Sequence, residues 1–323
     1  MKKVVDDPRL MIKVCDLYYN QNISQQQIGK FLGLSRPTVS RLLASAREQN
    51  IVQITIPDLD TITYWELEQK LEAQYGLREV LIVDSGHSQE SLKTALGRAA
   101  ARYLQYLIKS GDIVGVSMGS TLYHMILSLT KPKIPDVTFV PLIGGMGRLR
   151  TELHANSLAE NMSRFYDGEY VPLHAPARVS NRQIRDELLK EASLLSAIEL
   201  FGRLDVTLVG IGYPNAQSAI QATGYFKEKE LESLIERNAT GELCMQFYDM
   251  SGNTSPFQND NNVIGIDIHR LRKVPRSVGI AGGLEKVSAI RGAIQGKYIN
   301  TLITDVDCAT ALASEETYNP KNV

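Results

Sequence analysis

Cysteine is scarce: Cys15, Cys244 and Cys308 are the whole complement of a 323-residue chain. They are odd in number, far apart and part of no CxxC or Cys/His cluster, which argues against a disulfide framework and a zinc site and points to a reducing compartment. His87, His124, His154, His174 and His269 show no ligand spacing, so no metal is expected. A Walker loop, a Gly-x-Ser-x-Gly elbow and a pair of catalytic carboxylates are also lacking. We therefore expect no catalytic residue and no cofactor. No apolar run approaches the roughly 18 residues that span a bilayer, and the charged stretch Met1–Asp7 is followed by no apolar leader region. The expectation is a cytoplasmic protein with no membrane partner. Net charge is only −1, so the chain as a whole is not a basic nucleic-acid binder.

That charge is unevenly placed. Residues 1–57 carry eight Lys/Arg against four Asp/Glu. A basic head on an acidic body suits a protein that meets a phosphate backbone with its head alone. The length exceeds one ordinary core, so two domains are expected: a helix-turn-helix DNA-binding domain over 1–57, and an effector-binding and oligomerisation domain over 58–323. The second opens with a linker and helix over 58–76, in which Tyr64-Trp65-Glu-Leu67 through Leu71 reads as helix and Tyr75-Gly76 closes it.

Three short helices are legible in the head. The first runs from about Pro8 to Tyr19, with Leu10, Val14, Leu17 and Tyr18 on one face. Ser24 caps the second, Gln25 to Leu32, and Gly33 stops it. Ser35 caps the third, which opens Arg36-Pro37-Thr38. Ile28, Leu32, Leu34, Val39 and Leu42 are apolar where two helices crossing through a tight turn must pack, and Gly29 is small at their closest approach. Together these make a helix-turn-helix. Ser35, Arg36, Thr38, Ser40 and Arg41 offer hydroxyls and guanidinium groups suited to base edges and phosphates. Gln25 and Gln26 stand at the start of the second helix, where amides meet a phosphate. A helical pair used for protein contacts is the plainer alternative; agreement of cap, turn, packing and charge favours DNA. The run Ile51–Ile56 alternates as a strand, a small wing beside the helices.

From Glu79 onward apolar strands alternate with helices: 79–83, 112–116, 137–142, 170–173, 206–210, 277–281 and 300–304, with helical stretches such as 92–108, 122–129, 156–165, 186–197 and 286–294. This pattern is an α/β fold with a doubly wound, mostly parallel sheet. Ligands of such sheets bind outside the carboxyl ends of the strands. Three glycine-bearing turns fall there. Gly119-Ser120-Thr121 follows one strand and opens a helix; Gly144-Gly145 follows the next; Gly282-Gly283 is followed by Lys286, a cation one turn on. Each alone is an ordinary backbone device, whereas three at one edge point to a shared anion pocket. Gly210-Ile-Gly212, followed by Tyr213-Pro214, reads as structural. Asp249, in Asp249-Met-Ser-Gly252-Asn253, reads as a turn residue.

The motifs Ser24-Gln-Gln-Gln-Ile28, Ser35-Arg-Pro-Thr-Val-Ser-Arg-Leu-Leu43, Gly111-Asp-Ile-Val-Gly115-Val-Ser117, Ala281-Gly-Gly283 with Lys286, and Tyr298 with Thr304-Asp305 resemble those of the SorC family of bacterial sugar-responsive regulators. The resemblance covers nearly the whole chain. It implies a body similar to sugar-phosphate isomerases and deaminases, a phosphorylated sugar as effector, operator DNA as partner, and a homodimer or homotetramer. It further implies that Gly119, Ser120 and Thr121 form the phosphate loop, that Gly144 and Gly145 line the site, and that Asp249 and Lys286 contact effector. Deoxyribonucleoside-type members carry a Lys before the double glycine that forms a Schiff base with the effector. Here Ile143 stands there, so the effector is expected to bind non-covalently. The Asp-Gly-His run of the deaminases is replaced by Tyr213-Pro214-Asn215, which disfavours the competing reading of an isomerase or deaminase with a DNA-binding head. A scaffold with an empty pocket is the remaining alternative.

Overall fold

The computed structural model describes residues 7–52, 63–130, 134–145, 147, 150–215 and 223–314. It divides into two compact units, Met1–Thr63 and Tyr64–Val323.

The head holds α1 (Pro8–Cys15), α2 (Gln25–Leu32) and α3 (Arg36–Glu48). The Asp7 carboxylate accepts the Arg9 amide at 2.9 Å and so caps α1. The first helix does not run on as regular α-helix to Tyr19. Over Asp16–Asn20 it becomes a π-turn, because the Gln21 amide bonds back five residues to the Asp16 carbonyl. The Asp16 carboxylate fixes this wider turn by accepting from the Asn20 and Gln21 side chains, both at 2.8 Å. Ser24 and Gln27 form a reciprocal capping box on α2, and Gly33 ends it at φ +68°. A Cβ on Gly29 would come 2.7 Å from the Leu34 carbonyl oxygen, so glycine is what lets the turn close onto α2. Met11, Val14, Ile28, Val39, Leu42 and Ala46 form a fully buried core. Of the expected wing, Ile51 and Val52 are a bend, both amides bonding the Ala46 carbonyl; the rest lies outside the described residues.

In the body, α4 (Trp65–Tyr75) precedes β1 (Glu79–Val83), α5 (Gln89–Leu107), β2 (Ile113–Val116), α6 (Ser120–Leu127), β3 (Thr138–Pro141), α7 (Ala155–Tyr166) and β4 (Glu169–Tyr170). There follow α8 (Arg182–Leu188), α9 (Ala192–Leu200), β5 (Val206–Gly210), α10 (Glu228–Glu236), and a hairpin of β6 (Gly241–Leu243) and β7 (Gln246–Tyr248). The last elements are β8 (Arg276–Ile280), α11 (Val287–Gln295), β9 (Thr301–Asp305) and α12 (Val306–Ala313). The seven-stranded sheet has the order β1-β9-β8-β5-β2-β3-β4, and every pairing in it is parallel.

Alternation along each strand sends side chains to two faces. Val114, Val116, Phe139, Leu208, Val278 and Ile280 pack under α5, α6 and α7. Val80, Ile82, Val140, Val209 and Leu302 pack on the other face, with α4, α9 to α12 and the hairpin. The β1 edge is covered by α4: Glu72 accepts the Val80 amide at 2.9 Å and Glu68 the Ile82 amide at 2.8 Å. The fourth strand is shorter than expected, because the Asn156 side chain takes both the amide and the carbonyl of Leu173. The helix expected over 186–197 is two, α8 and α9, since Glu191 adopts an extended backbone between them.

A Cβ on Gly97 of α5 would stand 2.6 Å from the His124 carbonyl carbon of α6. Gly97→Ala should therefore push the two helices apart and cost ~1–3 kcal/mol of overpacking. Urea unfolding checks this; an unchanged midpoint would show that the helices separate freely.

Candidate functional site

The chain runs β2→β3→β4 toward one side of the sheet and β5→β8→β9 toward the other. The reversal falls between β2 and β5, and a crevice must open beyond the carboxyl ends of those two strands. A cavity of about 110 Å³ lies there. After β2 it is lined by Ser117, Gly119, Ser120 and Thr121; after β5 by Gly210 and Gly212; the hairpin adds Glu242 and Cys244, and Lys286 closes it.

Gly119 adopts φ +117°, and no side chain caps α6. The Gly119 amide is taken by the Leu153 carbonyl at 3.0 Å. Those of Ser120, Thr121 and Leu122 have no acceptor among the described residues. Three unfilled N–H groups at the positive end of a helix dipole favour an anion. The half-buried Lys286 ammonium has no ion-pair partner within 4.0 Å among the described residues, and burial draws its pKa below the usual lysine value.

Glu242 is buried, 5% exposed, with one carboxyl oxygen accepting the Met245 amide at 2.8 Å. Burial pushes its pKa up to about 7; the Met245 bond and the Lys286 charge pull the other way. Its carboxyl lies so close to Gly212 that a Cβ there would overlap it. The Cys244 sulfur lies 3.4 Å from the Ser117 hydroxyl. Its thiol is pushed up to about 12 by burial, so it is not a nucleophile here. Cys244 and Met245 both hold positive φ, 50° and 61°, in the two-residue turn that joins β6 and β7. That conformation is uncommon for such side chains and sets both inward, where each is 1% exposed.

Gly119, Ser120, Thr121 and Lys286 thus come together. Gly144 and Gly145 do not line this cavity. They sit one strand further on, where a Cβ on Gly144 would meet the Ala175 carbonyl oxygen at 2.5 Å and the Gly145 amide bonds that same oxygen at 2.7 Å. Gly282 and Gly283 also stand back from the lining, and the Gly283 amide donates to the Asp305 carboxylate at 2.6 Å. Asp249 is absent from the lining as well. One of its carboxylate oxygens closes its own loop, accepting from the Ser251 and Asn253 amides, each at 2.9 Å, and from the Ser251 hydroxyl. Sequence reasoning missed Ser117, Glu242 and Cys244, and it read Gly210 and Gly212 as structural. A lone carboxylate in the apolar run Glu242–Met245 was the available signal.

In the head, Gln25, Gln26 and Arg36 border one open groove with Tyr18 and Tyr19. Arg36, Ser40 and Arg41 are exposed. The Ser35 hydroxyl is occupied by the Thr38 amide at 3.3 Å and lies 2.8 Å from the Thr38 hydroxyl, so this pair secures the helix start.

Residues 60–314 match a family described as a putative sugar-binding domain, and residues 12–63 a Crp-like helix-turn-helix domain. The chain is 34% identical to the sorbitol operon regulator of Klebsiella pneumoniae, over 95% of this chain and 98% of that one. Identity to the deoxyribonucleoside regulator of Bacillus subtilis (strain 168) is also 34%, with the same coverage. The crystal structure of the full-length Klebsiella regulator superposes with a TM-score of 0.72, covering 96% of this chain and 100% of that chain.

Glu242 yields a pH prediction. Its folded pKa, about 7, lies above the ordinary 4.5, so on raising pH the unfolded chain loses this proton first. The folded state therefore loses stability between about pH 4.5 and 7, approaching roughly 3 kcal/mol above that range. Glu242→Gln should flatten this part of the stability profile. Urea titrations at pH 5 and 8 check it, and a variant with the wild-type slope would rule out Glu242 as its source.

Proposed function

Because the chain belongs to the SorC family of helix-turn-helix regulators with a sugar-binding domain, we propose that a phosphorylated sugar, bound non-covalently at the β2/β5 crevice, sets its affinity for operator DNA. The chain is a transcriptional regulator of a carbohydrate operon and not an enzyme.

One observation carries the ligand class: Ser120 and Thr121, whose amides are unfilled at the start of α6, line the same cavity as Lys286, which has no ion-pair partner within 4.0 Å among the described residues. A neutral sugar would leave that ammonium with only the Glu285 and Glu242 carboxyls beyond ion-pair distance, whereas a phosphate satisfies ammonium, amides and the Ser120 and Thr121 hydroxyls together. Gly282 and Gly283 contribute by shaping the turn into Lys286, and Gly144, Gly145 and Asp249 by holding the neighbouring loops. Ile143 is fully buried and offers no amine for covalent capture. One relative is named a sorbitol operon regulator and the other a deoxyribonucleoside regulator, which makes hexitol and pentose phosphates the first to try.

On the DNA side, Arg36, Ser40 and Arg41 present an exposed face of α3 to base edges, with Thr38 beside them, while Gln25 and Gln26 meet the backbone. Such readers act in pairs on half-sites about one helical turn apart, so the working form is a homodimer or homotetramer, in the cytoplasm with the DNA. Effector alters operator affinity only to the extent that it binds the DNA-competent and incompetent states differently.

Melting temperature across sorbitol, fructose, sorbose and deoxyribose phosphates and their free sugars tests the pocket. A concentration-dependent rise with one phosphate, abolished by Lys286→Ala, is expected. A rise with a free sugar but no phosphate would refute the anion reading. Arg36→Ala should weaken operator binding by ~1–3 kcal/mol without changing the melting temperature. Equal affinity in a gel-shift titration would remove Arg36 from the interface.

A further inference from the structure

We propose that Asp305 is the positioning residue that couples occupancy of the crevice to α4, the helix through which the chain passes between body and head. The inference rests on the reading above, and its observations are separate from the cavity.

Asp305 ends β9 and is 1% exposed. One carboxylate oxygen accepts the Gly283 amide at 2.6 Å. The other accepts the Ser85 hydroxyl at 2.9 Å and the Cys308 amide at 3.2 Å. A single buried carboxylate thus joins three segments: the turn that leads into Lys286, the segment after β1, and the start of α12. Among the described residues it is the only side chain that accepts from a main-chain amide of that turn.

From Asp305 two short routes reach α4. Ser85 adjoins Asp84, whose carboxylate takes the Tyr64 hydroxyl immediately before α4. The far end of α12 is tied to α4 by the Tyr75 hydroxyl, which donates to the Leu312 carbonyl at 2.8 Å. Glu68 and Glu72 hold α4 to β1, the strand that pairs with β9. A displacement of Asp305 therefore reaches α4 through hydrogen bonds at both of its ends.

The driving force is electrostatic. A phosphate held by Lys286 brings negative charge to the loop whose amide Asp305 already holds. Like charges in a poorly solvated site repel, so loading the crevice loosens the Gly283–Asp305 bond and frees Asp305 to shift against Ser85 and Cys308.

The chain holds one tryptophan, Trp65, at the first position of α4, half exposed. Its fluorescence reports on this helix alone. The experiment titrates the full chain with whichever of the sorbitol, fructose, sorbose and deoxyribose phosphates raises the melting temperature. Three readouts are followed: melting temperature, Trp65 emission, and affinity for a duplex selected from a random library by the unliganded protein. In wild type all three should respond with one midpoint, operator affinity changing at least about fivefold. Asp305→Asn should keep the ligand midpoint within about threefold and lose the Trp65 response and most of the change in operator affinity. Ser85→Ala, a milder change that leaves the Gly283 bond in place, should weaken the same coupling and so keeps the test open if the first variant does not fold. Wild-type coupling in the folded variants at equal saturation overturns the inference, as does a loss of coupling only in proportion to lost binding. No melting response in wild type to any sugar phosphate is the failure of the pocket reading, seen before any variant is made, and it removes the premise of the coupling as well.

Discussion

All seven strands of the body's main sheet point the same way, and the crevice at its edge follows from that constraint. Parallel strands need long crossovers, the crossovers carry helices, and α6 and α12 start directly behind the carboxyl ends of β2 and β9. Unpaired amides consequently accumulate along one edge of the sheet. Most are absorbed locally: the Gly145 amide by Ala175, the Gly283 amide and the start of α12 by Asp305. Where the winding direction reverses, between β2 and β5, neighbouring crossovers depart to opposite sides and leave the start of α6 uncovered. The crevice is a gap that the topology cannot fill with main chain.

The groups placed in that gap are costly to the fold. Glu242 is buried and holds its proton to about pH 7, and the ammonium of Lys286 has no ion-pair partner within 4.0 Å among the described residues. Two non-glycine residues, Cys244 and Met245, carry positive φ beside them. A sequence selected for stability alone would put Asn-Gly in that turn and apolar side chains in place of the charges. Breaches of local preference beside a crevice are of the kind that a ligand site leaves in a sequence.

The sequence announced those parts of the fold whose signals are local. Caps at Ser24 and Ser35, the Gly33 stop and the apolar strands are each set by a few neighbouring residues, and the helix-turn-helix and parallel sheet were legible on that basis. The residues that line the body's crevice were legible only where a strand-to-helix turn announced them, as at Gly119–Thr121, or where a cation followed such a turn, as at Lys286. Glu242 was overlooked because its one local signal, a lone carboxylate in an apolar run, does not by itself separate a carboxylate folded inward from one at the surface of a short strand. Gly144 and Gly145 carried the same local signal as Gly119, and only strand order separates them from the crevice. The π-turn at Asp16–Asn20 escaped for a different reason: helical periodicity hardly changes when a single hydrogen bond lengthens by one residue.

The two carboxylates that α4 lays along β1 have a bearing on association. An open strand edge is a template, ready to recruit another strand from any chain that exposes one. Here Glu68 and Glu72 occupy alternate amides of that edge, as an incoming strand would, and add negative charge that such a strand would have to displace. At the opposite edge β4 is two residues long, too short to seed a ladder. Sheet continuation between copies is therefore disfavoured at both edges of the seven-stranded sheet, which leaves the helices, loops and hairpin of the described residues as the surfaces open to assembly.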